Sequence, residues 1–202
     1  MAITLYGAPQ SSTGRCRWMI EETGVAYEYV HVDVRGGQTR APELLALNPN
    51  GKIPILVDDG FVLYESMAIN YYLAERYATS LLGTSPQERA QTMQWSLWGI
   101  TNLQPRILEA LFHGTLLPES MRNPQLASQG REEAQRFLSV LERHLEAHEY
   151  LVAERFTVAD INAGSIVNIA VGMKMDAAFP RTREWLARLK ARPAYARAAE
   201  RD

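Results

Sequence analysis

Apolar and polar positions along this chain follow two different periods, and the change comes near residue 80. Before it, short β-type runs are separated by helical stretches. Residues 3–6 form a strand-type run closed by Gly7 and Pro9, and residues 27–34 form a second, rich in β-branched and aromatic side chains. Between them, Ser11, Ser12 and Thr13 supply capping hydroxyls for a helix reaching about Glu22, with Gly24 as its stop. Residues 43–47 read as a helical turn halted by Asn48 and Pro49. Residues 55–57 and 61–63 flank Asp58-Asp59-Gly60, a hairpin signal. Within residues 65–77, Ala68, Ile69, Tyr72 and Leu73 recur at helical spacing. This order, β-α-β then β-β-α, predicts a small mixed sheet. A right-handed crossover gives a parallel pair, an antiparallel hairpin follows, and helices cover the faces.

Beyond residue 85 no strand-like alternation remains. Residues 79–85 read as a linker and Pro86 as a helix start. Helical patterns cover residues 86–111, 124–148, 158–171 and 181–191, with Pro105 expected to kink or end the first. Thr157 and Asp160 have capping-box spacing, with Phe156 and Ile161 as the flanking apolar pair. That motif supports folding rather than chemistry. The fold class expected is α/β plus all-α: an N-terminal domain over 1–78, the linker 79–85, and an all-helical domain over 86–202.

Composition narrows the function classes. The 202 residues are 47% hydrophobic and 22% charged, enough for a real core. A net charge of −2 favours neither nucleic acid nor an anionic membrane. The single cysteine, Cys16, excludes an internal disulfide framework and fits a reducing compartment. No apolar run approaches the roughly 20 residues of a membrane span. The start, Met1-Ala2-Ile3-Thr4, lacks the charged and apolar regions of a signal peptide, so a cytoplasmic protein is expected. His144 and His148 stand four apart on an expected wet helical face, but Leu145 stands where a zinc peptidase motif needs Glu, and no metal is expected. Arg183, Arg188, Lys190, Arg192, Arg197 and Arg201 read as a solvated basic face.

One local feature asks for a use. Pro54 interrupts the apolar run of Ile53, Ile55, Leu56 and Val57, where a ladder N–H is normally required. Taken alone it reads as a turn proline at a strand start.

Four motifs together carry a family resemblance: Leu5-Tyr6-Gly7-x-Pro9-x-Ser11, Asn48-Pro49-x-Gly51-Lys52-Ile53-Pro54-Ile55-Leu56, Glu65-Ser66-x-Ala68-Ile69, and Phe156-Thr157-x-Ala159-Asp160-Ile161. In order and spacing, across essentially the whole chain, they resemble the soluble glutathione transferases, and Ser11 resembles the catalytic serine of phi- and theta-like bacterial members. The resemblance implies a thioredoxin-like N-terminal domain, an all-helical C-terminal domain, a homodimer and a cytoplasmic detoxification role. It implies glutathione as co-substrate, no metal, and transfer of its thiolate to a hydrophobic small-molecule electrophile. A glutathione-dependent reductase, dehalogenase or isomerase, and a non-catalytic interaction protein, are the alternatives.

The resemblance also assigns residues. The bond before Pro54 is cis in that family, turning the Ile53 backbone towards the cysteinyl part of glutathione. Ser66 receives the γ-glutamyl carboxylate at a helix start, Glu65 the ammonium, and Lys52 the glycyl carboxylate, with Gln38 and Arg40 as looser helpers. Ser11 donates a hydrogen bond to sulfur. Ser12, Thr13, Tyr6 and Cys16 compete for that role, and Arg15 and Arg17 could lower the Cys16 pKa. Trp95, Trp98, Leu103, Ile107, Leu111, Phe112 and Met121 are candidates for an apolar electrophile wall.

Overall fold

A computed structural model describes residues 2–200 in two compact units; Met1, Arg201 and Asp202 lie outside the described residues. One unit is the chain through Leu82 together with the segment from Ala191, and the other is Gly83–Lys190.

The first unit is built on a four-stranded sheet of order β2-β1-β3-β4. β1 (Ile3–Gly7) runs parallel to β2 (Tyr27–His31) and antiparallel to β3 (Ile55–Asp58), which forms a hairpin with β4 (Phe61–Tyr64). α1 (Thr13–Thr23) makes the crossover, and α3 (Ser66–Tyr77) follows the hairpin. The alternation in β1 buries Ile3, Leu5 and Gly7 on one face. Tyr6 points to the other, where Val32, Ile55 and Val62 pack with Leu44 and Leu47 of α2 (Pro42–Leu47). The predicted mixed sheet is therefore present, with the thioredoxin-like order. β2 is shorter than the 27–34 run because Asp33 turns the chain: its carboxylate accepts the Gly36 N–H at 2.8 Å. The Ile53–Pro54 peptide bond is cis.

The second unit is helical: α4 (Pro86–Trp98), α5 (Gln104–Leu111), α6 (Pro124–Leu145), α7 (Val158–Gly172) and α8 (Pro180–Lys190). Pro105 neither ends nor simply kinks the first helical path. The turn before it, Gly99–Leu103, widens to π geometry, and Gln104 N–H bonds the Gly99 carbonyl. α7 is buried from Val158 through Gly164, as expected for a helix apolar on all sides. α6 stops at Leu145, so His148 lies beyond it rather than on a helical face. His144 packs at a tilt against Trp95 at 4.7 Å and stacks on His148 at 4.5 Å, and His148 bonds Glu154. Among the described residues no His, Cys, Asp and Glu group could hold a metal, and no helix is long and apolar enough to cross a membrane.

The helical domain expected over 86–202 does not include the last helix. α9 (Pro193–Glu200) belongs to the first unit, where it packs on α1. Arg192 holds Glu22 through two 2.7 Å bonds, Arg197 Nε bonds Glu21 at 2.9 Å, and Tyr195 meets Trp18 edge-on at 5.0 Å. Arg192 and Arg197 thus have acidic partners on α1, Arg192 half-buried and Arg197 still exposed. Arg201 lies outside the described residues.

The capping box is present. Asp160 is fully buried and accepts four bonds, from the Thr157 N–H (2.8 Å) and hydroxyl (3.0 Å), the Leu151 N–H (3.1 Å) and the Trp185 indole (3.0 Å). Burial pushes its carboxyl up to about 6, with these donors pulling the other way. An acid raised on folding binds more protons folded than unfolded, so its contribution is greatest below about pH 4 and is lost as pH rises through 6. The stability advantage of wild type over Asp160→Asn, measured by urea unfolding, is expected to shrink by about 3 kcal/mol between those limits. An advantage that grows with pH would show the donors holding the carboxylate ionised.

Candidate functional site

Strand register gathers distant segments at one end of the sheet. β1 ends at Gly7, opposite His31 of β2. On its other side Tyr6 pairs with Ile55, the first residue of β3, and Ile55 pairs with Tyr64, the last residue of β4. The chain leaving β1, the chain entering β3 and the chain leaving β4 therefore lie side by side, about 4.8 Å apart. Those three segments carry Ser11, Lys52-Ile53-Pro54 and Glu65-Ser66.

The first forms a tight corner. A Cβ on Gly7 would stand 2.1 Å from Thr13 Cγ2 and 2.7 Å from its Cβ, so only glycine lets the helix start so close to the strand end. Ser11 ties the corner: its hydroxyl donates to the Ala8 carbonyl at 2.6 Å, lies 2.9 Å from Thr13 Oγ1, and accepts the Thr13 N–H at 3.2 Å. Thr13 is fully buried and faces this network. Ser12 occupies the N-cap position, half-buried, and its side chain makes no cap bond. The expected cap is thus made by Ser11 from one residue earlier, and Ser12 is the hydroxyl outside it.

Ile53 lies outside the ladder, which begins at Ile55; its side chain joins the cluster under α2, and Pro54 is buried. Asn48 rigidifies the approach, donating to the Lys52 carbonyl at 2.7 Å and accepting the Asn50 N–H at 3.1 Å. Lys52 is exposed. Arg40 lies against Gly51, where a Cβ would meet its side chain at 2.9 Å, so Gly51 brings a second cation beside Lys52. Gln38 is differently employed: its side-chain oxygen accepts the Asp33 N–H at 2.8 Å and braces the loop.

The third segment opens α3. Ser66 is its first residue and is buried, at the end where backbone N–H groups lack helical partners. Glu65, before it, is exposed and has φ 72° and ψ 111°, a strained conformation for a residue with a Cβ. Its carbonyl accepts the Ile69 N–H at 2.9 Å, which holds it there. Anionic ligand groups are favoured at such a helix start.

The rivals separate. Tyr6 packs in the cluster under α2. Cys16 is fully buried, and burial pushes its thiol up to about 12; Arg15 pulls the other way, and desolvation wins. The chain therefore brings no thiolate of its own. Of the apolar candidates, Leu103 and Ile107 are core, Trp95 and Trp98 pack edge-on at 5.1 Å, and Phe112 and Met121 are exposed. Leu116, also exposed, lies on a π turn (Phe112–Leu116) beyond the helical pattern read over 86–111 and was not among the candidates.

The chain matches two family models, the glutathione S-transferase N-terminal domain over residues 1–75 and the glutathione S-transferase C-terminal domain over 104–193. It is 34% identical to the disulfide-bond oxidoreductase YfcG of Escherichia coli, covering 97% of this chain and 94% of that one. Among solved structures, a theta class glutathione S-transferase of Xanthomonas axonopodis pv. citri with glutathione bound is 34% identical, with a TM-score of 0.88 over 97% of this chain and 96% of that one. A glutathione transferase of Burkholderia graminis, holding two glutathione molecules per subunit, is 28% identical, with a TM-score of 0.92 over 98% of this chain and 88% of that one.

Proposed function

We propose that this chain, which belongs to the glutathione S-transferase family, binds glutathione across the end of its N-terminal sheet and transfers the sulfur to a hydrophobic electrophile. The register carries the reading. From β1 to β4 is two strand spacings, about 10 Å, and an extended three-residue ligand is about as long. Such a ligand meets a different chemistry at each step. Ser66 receives the γ-glutamyl carboxylate at the α3 start, and Glu65 takes the ammonium. Ile53 offers main-chain groups to the cysteinyl unit, with Pro54 beside it, in the manner of an added strand. Lys52, with Arg40 beside it, meets the glycyl carboxylate.

The sulfur then lies at the Ser11 corner. An unperturbed thiol is only about 3% ionised at pH 7, and lowering its pKa by about two units requires roughly 2.7 kcal/mol of preferential stabilisation. A hydroxyl donor together with the α1 start is of that order. Ser11 does this by swinging its proton from the Ala8 carbonyl to the sulfur; Ser12 is the second donor within reach of the same corner. The thiol proton leaves to solvent, the thiolate forms the new bond, and the electrophile's leaving group or π-electron pair takes up the charge.

A second reading draws on the YfcG likeness. Cys16 is closed to disulfide exchange, so both electrons would come from glutathione: one thiolate attacks the disulfide, a second resolves the mixed disulfide, and glutathione disulfide and two thiols leave. Both readings need the same thiolate.

Turnover of electrophile and disulfide panels, with and without glutathione, tests the reading. We expect glutathione-dependent turnover in at least one panel, and Ser11→Ala to lower kcat by about 10²-fold with little change in KM for glutathione. Ser12→Ala giving that loss instead would move the donor by one residue. No glutathione binding would overturn the reading and favour an interaction protein. We also propose a homodimer, supported by exposed Phe61 on β4 and by Met93 and Leu97 one turn apart on α4. Sedimentation at micromolar concentration should give twice the mass of one chain; a single-chain mass would overturn it.

A further inference from the structure

We propose that Cys16 and Asn70 are positioning residues, forming a reciprocal clamp between α1 and α3 that fixes the Ser66 end of the ligand site against the Ser11 corner. The clamp rests on the reading of Ser66 given above. Its geometry is two-way. The Cys16 thiol donates from α1 to the Ser66 carbonyl at 3.6 Å, and the Asn70 amide donates from α3 to the Arg15 carbonyl at 3.2 Å. The two α1 partners are adjacent in sequence. The two α3 partners are four apart, so helix geometry joins them through the Asn70 N–H and the Ser66 carbonyl. All four residues are buried.

Apolar packing would hold two helices together, but it is non-directional and tolerates sliding. A buried polar contact does not, because a displaced donor or acceptor loses its partner in a low-dielectric setting. The clamp sits where sliding matters most, since Ser66 is the first residue of α3 and Cys16 lies about one turn inside α1, which starts at the corner. Burial keeps the Cys16 thiol protonated, and hence a donor, throughout the neutral range. The only cysteine thus acts through the Ser66 carbonyl and does not touch the substrate.

A ligand held at both ends registers the spacing between them. Calorimetric titration of glutathione into wild type, Cys16→Ala, Ser66→Ala and the double variant tests this, with thermal melts confirming the fold. Cys16→Ala should weaken binding roughly tenfold, by misplacing the α3 start. In the Ser66→Ala background, where the hydroxyl contact is already gone, the same change should add less than about twofold, the non-additivity of groups acting through one another. Cys16→Ser, which keeps a donor, should restore most of the affinity. If Cys16→Ala does not fold, Asn70→Leu breaks the other contact and serves in the same comparison. Wild-type affinity in a folded clamp variant, or losses that simply multiply with Ser66→Ala, would overturn the clamp. A Ser66→Ala protein that binds glutathione as wild type does would instead overturn the Ser66 assignment beneath it.

Discussion

The close approach of Thr13 to Gly7 is the contact on which the site depends. Because Gly7 has no Cβ, α1 begins directly against the end of β1, and Ser11 is caught in the turn between them. The same strand end is paired through Tyr6 to Ile55 and through Ile55 to Tyr64. One backbone level therefore carries the corner, the Ile53 segment and the start of α3. A side chain at Gly7 would push the helix outward and separate the corner from the groups that the ladder has aligned.

This end of the sheet is also where local preference is overruled. Glu65 holds a positive φ in the first unit, in the segment that delivers Ser66, and such a conformation costs on the order of 1–3 kcal/mol. The surrounding fold sustains it with ordinary means. The Glu65 carbonyl is used by α3, β4 is paired along its length, and α3 is packed on α1. Asp59, Ala153, Glu154 and Lys174 also hold positive φ away from this end, so the strain at Glu65 points to function only together with the helix start it delivers. In the helical unit the same logic serves stability instead. Asp160 gathers the α7 start, the Leu151 segment and Trp185 of α8 around one buried carboxyl.

Much of this was legible in the sequence. The β-type run over residues 3–6, closed by Gly7 and Pro9, marked β1, the Asp58-Asp59-Gly60 turn marked the hairpin, and Thr157 with Asp160 marked the α7 start, because each signal is local. What escaped was long-range. The helical pattern ending near Ala191 gave no sign that α9 would return to α1, since that depends on Glu21 and Glu22 meeting Arg197 and Arg192 from the far end of the chain. The basic residues beside Cys16 suggested a lowered pKa, but only burial shows that desolvation prevails. Ser11 was picked out as a hydroxyl at the corner; that its proton already serves Ala8 follows from the turn geometry, not from residue type. Asn70 carried no signal, as an asparagine inside a helical pattern names no partner.

The central claim is that the corner beside Gly7 holds a bound tripeptide's sulfur as an anion. Thiolate absorbance near 240 nm, followed against pH for glutathione free and bound to the wild-type protein, tests it directly. The account predicts that the bound thiol titrates about two units below the free one, near or below pH 7. A bound thiol that titrates where the free one does would contradict it.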